Sequence, residues 1–162
     1  MTANSETITV TETGRGKYQL EARVNGSTLL MDEPVSAGGL GSGPNPYNLL
    51  SAALGACTTM TIRLYANRKA WPLGKVRVAV KHSRADLNAR DVFAVDIALE
   101  GELDEAQRAR LMEIAERCPV HLTLARGSDV RAALLPPPPP PPRLEPVDSP
   151  AHMKCMVEAC AD

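Results

Sequence analysis

The chain has 162 residues and a mass of 17.3 kDa, room for one domain with a real core and not for two ordinary ones. Its 18 Lys and Arg balance 19 Asp and Glu, so no basic excess marks a nucleic-acid binder and no acidic run marks a solvated tail. Apolar residues at 44% fit a globular protein, while aromatics at 3% are too few for a base-stacking surface.

The first residues, Met1 to Glu12, are polar and alternating. They lack the basic start and apolar stretch of a secretory signal. The first third then reads as strands. Thr7–Thr11 and Tyr18–Val24 alternate with period two, with Gly14-Arg15-Gly16 as a turn between them. Asn25-Gly26 is a two-residue hairpin signal before Thr28–Met31, so an antiparallel meander is expected. Gly38-Gly39-Leu40-Gly41-Ser42-Gly43-Pro44 is a loop in which backbone can approach closely. It fits neither a phosphate loop nor a G-x-G-x-x-G register.

A long helix follows, with Asn45 as N-cap, Pro46 at its first position and Trp71-Pro72 as its stop. Its first four turns are apolar or small nearly all round, which predicts a central helix and a second subunit to complete its burial. Its charge-free apolar stretch, within Tyr47–Ile62, is shorter than the ~20 residues that span a bilayer. No membrane partner is expected, and the chain reads as cytoplasmic.

Lys75–His82 and Val92–Glu100 alternate as two strands of a hairpin, joined by the polar loop Ser83–Asp91. A second helix is expected from Asp104, with Gln107 completing a capping box, to Cys118, where Pro119 forces the backbone out of helical geometry. Val120–Leu124 reads as a short further turn and Asp129–Leu134 as a last strand. Seven consecutive prolines at 136–142 form an extended rod. The domain is therefore placed at 5–135, with 136–162 a polyproline linker and weakly ordered tail.

In a reducing cytosol the four cysteines are not expected to be permanent staples. Cys57 lies inside the first helix and Cys118 at the end of the second. Each alone is most often an inert buried thiol. If the two helices pack, their sulfurs could come within disulfide range, about 4.4–6.8 Å between Cα atoms. His121, three residues after Cys118, reads as a packing residue near a helix end. His152, Cys155 and Cys160 have no second cluster to complete a zinc signature, and no metal or cofactor is expected. No G-x-S-x-G elbow offers a serine nucleophile.

The order Asp32-Glu33-Pro34, Gly38-Gly39, Gly43-Pro44-Asn45-Pro46-Tyr47-Asn48-Leu49-Leu50-Ser51-Ala52-Ala53-Leu54-Gly55-Ala56-Cys57 and Glu116-Arg117-Cys118-Pro119-Val120-His121 resembles the OsmC/Ohr family over about residues 6–134. The segment Thr59–Pro72 looks closest to the branch sometimes fused to an α/β-hydrolase. The resemblance implies an α+β fold of antiparallel sheets with two long central helices, built as an intertwined homodimer. It implies a thiol peroxidase that reduces organic hydroperoxides. Cys57 matches the peroxidatic cysteine, Cys118 the resolving one, and Arg15 the arginine that activates the thiolate. An external dithiol, possibly lipoyl, would be the reductant. The chain departs from the family at Tyr47, which stands where the peroxidases carry a glutamate. A tyrosine brings no charge near neutral pH. Asp32 and Glu33 are the candidate substitutes. A second reading stays open, a non-peroxidatic dimeric domain that binds an apolar or electrophilic small molecule.

Overall fold

The computed structural model describes residues 7–134. They fall into two compact units, residues 7–46 with 129–134, and residues 47–128. The proline run, His152, Cys155, Cys160 and both expected domain limits lie outside the described residues.

The first unit is a three-stranded antiparallel meander of β1 (Thr9–Glu12), β2 (Leu20–Val24) and β3 (Ser27–Met31). Asn25 and Gly26 take φ of 47° and 77°, the left-handed pair that a tight hairpin requires, and Val24 pairs with Ser27. The first two strands begin two residues later than the alternation suggests. After β3 the chain is held by Asp32, which is 2% exposed. Its carboxylate accepts from the backbone of Glu33 (2.8 Å), Leu40 (3.0 Å) and Ser42 (3.2 Å), and from the Ser42 hydroxyl (2.7 Å). The glycine loop closes tightly around this anchor. A Cβ on Gly39 would stand 2.0 Å from the Glu33 carbonyl oxygen, and one on Gly43 2.3 Å from that of Leu30.

The second unit is built on α1 (Pro46–Arg68), 23 residues beginning at the proline. Leu54, Cys57, Thr58, Thr61, Ile62, Tyr65 and Ala66 are buried at spacings of three and four, one face of a helix. The helix is long and apolar enough to cross a bilayer by length and composition, but this stripe, with two threonines in it, packs into the core of the unit. The opposite side is apolar and uncovered: Leu50 is 41% and Met60 49% exposed, with Ala53 and Ala56 between them. The helix ends where Ala70 turns left-handed (φ 51°) and the Trp71 N–H donates back to the Ala66 carbonyl at 3.0 Å.

Two antiparallel strands, β4 (Leu73–Ser83) and β5 (Val92–Gly101), form the second sheet. Val78, Val80, Phe93, Val95 and Ile97 are half-buried at alternate positions, so one face covers the helices. Arg63 donates to the Leu73 carbonyl (2.8 Å), and Arg108 to those of Leu99 (2.8 Å) and Gly101 (3.0 Å). Two cationic side chains thus satisfy backbone acceptors at one end of this sheet. Next comes α2 (Glu105–Ala115), opened by the expected capping box: Asp104 accepts from the Gln107 N–H (2.7 Å) and Gln107 from the Asp104 N–H (3.1 Å). Last is α3 (Pro119–Arg126).

Three expectations are corrected. The second helix stops at Ala115, and at 11 residues it is not a second long helix beside α1. The short turn at Val120–Leu124 is a full eight-residue helix, because Pro119 starts a helix as effectively as it ends one. Residues 129–134 form no strand: Val130 and Leu134 are 87% and 101% exposed, and a strand with neither a ladder partner nor a buried face has nothing to hold it.

The anchor at Asp32 gives a pH-dependent stability. Burial alone would raise its pKa, but the bonds from Ser42, Glu33 and Leu40 outweigh that and hold the carboxyl below the ordinary aspartate value. Its contribution is present above that ordinary value and is lost as pH falls through the lowered folded one. Asp32→Asn turns an acceptor toward its donors into a donor, so thermal denaturation at pH 7 is expected to show a Tm lower by about 5 °C or more. The difference from wild type shrinks in acid.

Candidate functional site

The site lies in residues 47–128, where α1 meets the start of α3 beneath the β4–β5 sheet. Cys57 and Cys118 are free thiols, 2% and 0% exposed, and form one buried cluster with Leu54. Val80, Phe93, Val95, Val120 and Leu124 close over it. The sequence lets the two sulfurs meet only if their helices pack, and the fold sets both in one buried cluster.

Their surroundings differ. Cys57 sits in the middle of α1, far from either helix end. Cys118 does not end α2, as its sequence position suggests. It stands in an extended junction (φ −54°, ψ 128°) as the residue that precedes α3, with Pro119 at the first helical position. The sign of the helix field is thereby reversed. A sulfur at a helix C-terminus faces carbonyls and resists ionisation, whereas one at an N-terminus faces N–H groups and ionises readily.

The two thiols hydrogen-bond to each other. That bond first, and burial second, push the Cys57 thiol far above its ordinary range, although the Val120 N–H and the Thr61 hydroxyl oppose this. The same bond pulls Cys118 the other way, down to about 6. Burial opposes that fall, and the His121 N–H, the Thr58 hydroxyl and the Val120 N–H support it.

A groove runs along the inner face of β5 past this pair. One end is a cavity of about 210 Å³ between Leu54, Arg90, Asp91, Phe93, His121 and Leu124. The other, of about 200 Å³, lies between Thr58, Phe93, Ile97, Met112, Glu116 and His121. Val95 also lines both. Leu54 and Thr58 bracket Cys57 in the sequence, so the sulfurs lie one layer behind the groove wall. The wall is apolar, with polar groups at its ends. His121 contributes to both cavities, a role that its position beside Cys118 did not suggest.

Tyr47 is engaged elsewhere. Its ring stacks flat on His82 (4.0 Å between centroids, 8° between planes), and its hydroxyl accepts a hydrogen bond from Arg84. Arg84 grips both oxygens of Asp91 at 2.8 Å, and Asp91 also meets His82 Nε2 at 2.7 Å. His82 in turn packs on Phe93 at 4.9 Å, and Phe93 covers the cysteines. The bond to His82 and those to Arg84 hold the Asp91 carboxyl below its ordinary value, and Asp91 raises Arg84. The sequence shows these residues only as the start of a helix, the ends of two strands and parts of the polar loop between them. What joins them is the β4–β5 register, which sets His82 opposite Phe93 and brings Arg84 back beside Asp91.

Arg15 belongs to the first unit. It is exposed in the bend between β1 and β2, where its backbone N–H donates to the Thr13 hydroxyl at 3.2 Å. Among the described residues no three His, Cys, Asp or Glu side chains gather to hold a metal ion.

The chain matches the family model described as OsmC-like protein over residues 39–133, a span that contains both cysteines and the Tyr47 cluster and begins after Arg15. No curated protein matches it. Solved structures do. A Psychrobacter arcticus protein named for osmotic stress induction and detoxification response is 23% identical with a TM-score of 0.65, over 74% of this chain and 88% of that one. An OsmC-like protein of Mycoplasma pneumoniae is 21% identical with a TM-score of 0.63, over 75% and 88%. An organic hydroperoxide resistance protein of Legionella pneumophila is 25% identical with a TM-score of 0.51, over 74% and 89%. The first two are likenesses of fold. The family model, which covers more than half of the chain and both cysteine motifs, makes this protein a member of the OsmC-like family.

Proposed function

We propose that the protein is a two-cysteine thiol peroxidase that reduces organic hydroperoxides. The observation that carries this reading is the Cys57–Cys118 pair, two reduced thiols in mutual contact behind an apolar groove. Cys57, as thiolate, attacks the terminal peroxide oxygen. The O–O bond breaks, an alcohol leaves after taking up a proton, and Cys57 becomes a sulfenic acid. Cys118 then attacks that sulfur, a disulfide forms and the sulfenic oxygen departs as hydroxide. An external dithiol, lipoyl in type, reduces the bridge by thiol–disulfide exchange. The apolar wall of Phe93, Val95, Ile97 and Leu124 favours an alkyl hydroperoxide over hydrogen peroxide, because only the former gains by leaving water.

Arg15 is the candidate cation for the Cys57 thiolate. Tyr47 serves this site through Arg84 and His82, holding the face of Phe93 that covers the cysteines. The uncovered side of α1, from Leu50 through Ala53 and Ala56 to Met60, is the surface for a second copy of the chain, since an apolar helix face of this length is unfavourable in water.

Stopped-flow oxidation of the reduced full chain by cumene hydroperoxide, with Cys155 and Cys160 replaced by serine, tests the chemistry. Oxidation is expected to exceed that of free cysteine by at least about a hundredfold and to vanish in Cys57→Ser. Arg15→Ala is expected to slow it about tenfold or more. A rate equal to that of free cysteine contradicts the peroxidase reading. Sedimentation of the full chain tests the assembly: a dimer is expected, and the double substitution Leu50→Glu, Met60→Glu is expected to give a monomer. A wild-type monomer contradicts the assignment of this face.

A further inference from the structure

The two ends of the groove share three side chains, Phe93, Val95 and His121, so these line the stretch between them. Phe93 and Val95 also pack on the cysteine cluster, and His121 stands three residues past Cys118, in the first turn of α3. Its backbone N–H donates to the Cys118 sulfur, which ties the residue to the pair, while its ring faces the groove. A hydroperoxide that lies along the apolar wall with its O–O group at this stretch meets one polar side chain there among the described residues, the imidazole.

We propose that His121 is the proton donor to the leaving group: its imidazolium holds the carbon-bound oxygen of the hydroperoxide and protonates it as the O–O bond breaks. The inference rests on the peroxidase reading and adds the source of the proton that the leaving alcohol takes up.

The reaction calls for such a group. An alkoxide is a far stronger base than a thiolate, and releasing it unprotonated against an apolar wall is costly. Imidazole is the side chain that both carries and gives up a proton near neutral pH.

The other polar groups of the groove are less suited. Arg90 lines the near cavity and donates to the Ala125 carbonyl at 3.5 Å, but a guanidinium does not release its proton. Asp91 lines the same cavity and is held as a carboxylate by Arg84 and His82. Thr58 and Glu116 line the far cavity and not the shared stretch. His82, the other described histidine, is bound to Asp91 and stacked on Tyr47. The His121 ring, by contrast, makes no hydrogen bond, ion pair or ring contact among the described residues. It is half-buried, so it stays open to the groove and to proton return from solvent.

The balance closes. Cys57 thiolate, hydroperoxide and His121 imidazolium give the Cys57 sulfenic acid, the alcohol and neutral imidazole. A sulfur lone pair forms the S–O bond. The O–O bond breaks with its electron pair on the carbon-bound oxygen, and the imidazolium proton goes to that oxygen. Sulfur is oxidised by two electrons, the peroxide is reduced by two, and water returns the proton to the ring.

The test compares two oxidants that differ in their need for a proton. Cumene hydroperoxide expels an alkoxide. Perbenzoic acid expels a carboxylate, which is stable without a proton. In the full chain with Cys155→Ser and Cys160→Ser, oxidation of Cys57 is followed by stopped flow at pH 7. His121→Ala is expected to slow the reaction with cumene hydroperoxide about a hundredfold and that with perbenzoic acid far less, by about threefold at most. His121→Gln, which keeps the size and a hydrogen-bond donor but has no proton to give, is expected to show the same selective loss. Free imidazole is expected to restore much of the cumene hydroperoxide rate in His121→Ala. An unchanged rate with cumene hydroperoxide in both variants, or equal slowing with both oxidants in both variants, overturns the role of His121, and equal slowing marks it as packing alone. Those results leave the peroxidase reading standing, since they are read against a fast wild type. A wild type no faster than free cysteine overturns both.

Discussion

The contact between two sulfurs at the crossing of α1 and α3 organises the second unit. It requires a sheet above it, because a reduced pair left open to water would be oxidised at random. It requires α1 to be buried on one face along most of its length, since Cys57 lies in the middle of the stripe from Leu54 to Ala66. It also requires the chain to break between α2 and α3, so that Cys118 meets the first turn of a helix instead of the last. Pro119 meets that last condition. Its ring bars helical geometry at Cys118 and fixes the first turn of α3. One residue thus sets both the position of a sulfur and the sign of the field it feels.

At the start of α1 the chain carries Tyr47 and no carboxylate, and the Tyr47 cluster shows what that side chain meets instead. The arginine nearest that position, Arg84, already has a carboxylate in Asp91, supplied by the far end of the same hairpin. A second carboxylate at Tyr47 would add little to a filled bidentate pair. An aromatic ring there instead stacks on His82 and continues through Phe93 to the cysteines. The cluster is a stack of rings with one ion pair at its edge.

Much of this was legible in the sequence. The hairpin at Asn25-Gly26, the start of α1 at Pro46 and the Asp104–Gln107 capping box are local rules, and each holds in the fold. The meeting of the cysteines was legible only as a consequence of packing: Cys57 lies on the buried face of α1, and Cys118, in the junction before α3, shares its cluster. Less legible were features that depend on register or on a helix too short to show a period. The four residues around Asp91 come together only when β4 and β5 are aligned. α3 offers barely two turns of pattern, so it read as a turn. Residues 129–134 carry the alternation of a strand but have no partner, and pattern without a partner makes no sheet. For the same reason the environment of Cys118 was misread: the sequence places it after α2, and only the length of α3 shows which helix governs it.

The central claim is that Cys57 and Cys118 form one redox centre within a single chain. The most direct measurement is to treat the reduced full-length protein with one equivalent of cumene hydroperoxide, block the remaining thiols, and map the disulfides by mass spectrometry. The account predicts an intrachain Cys57–Cys118 bridge, with Cys155 and Cys160 still free and alkylated. A bridge through Cys155 or Cys160, a bridge between chains, or all four thiols unchanged would contradict it.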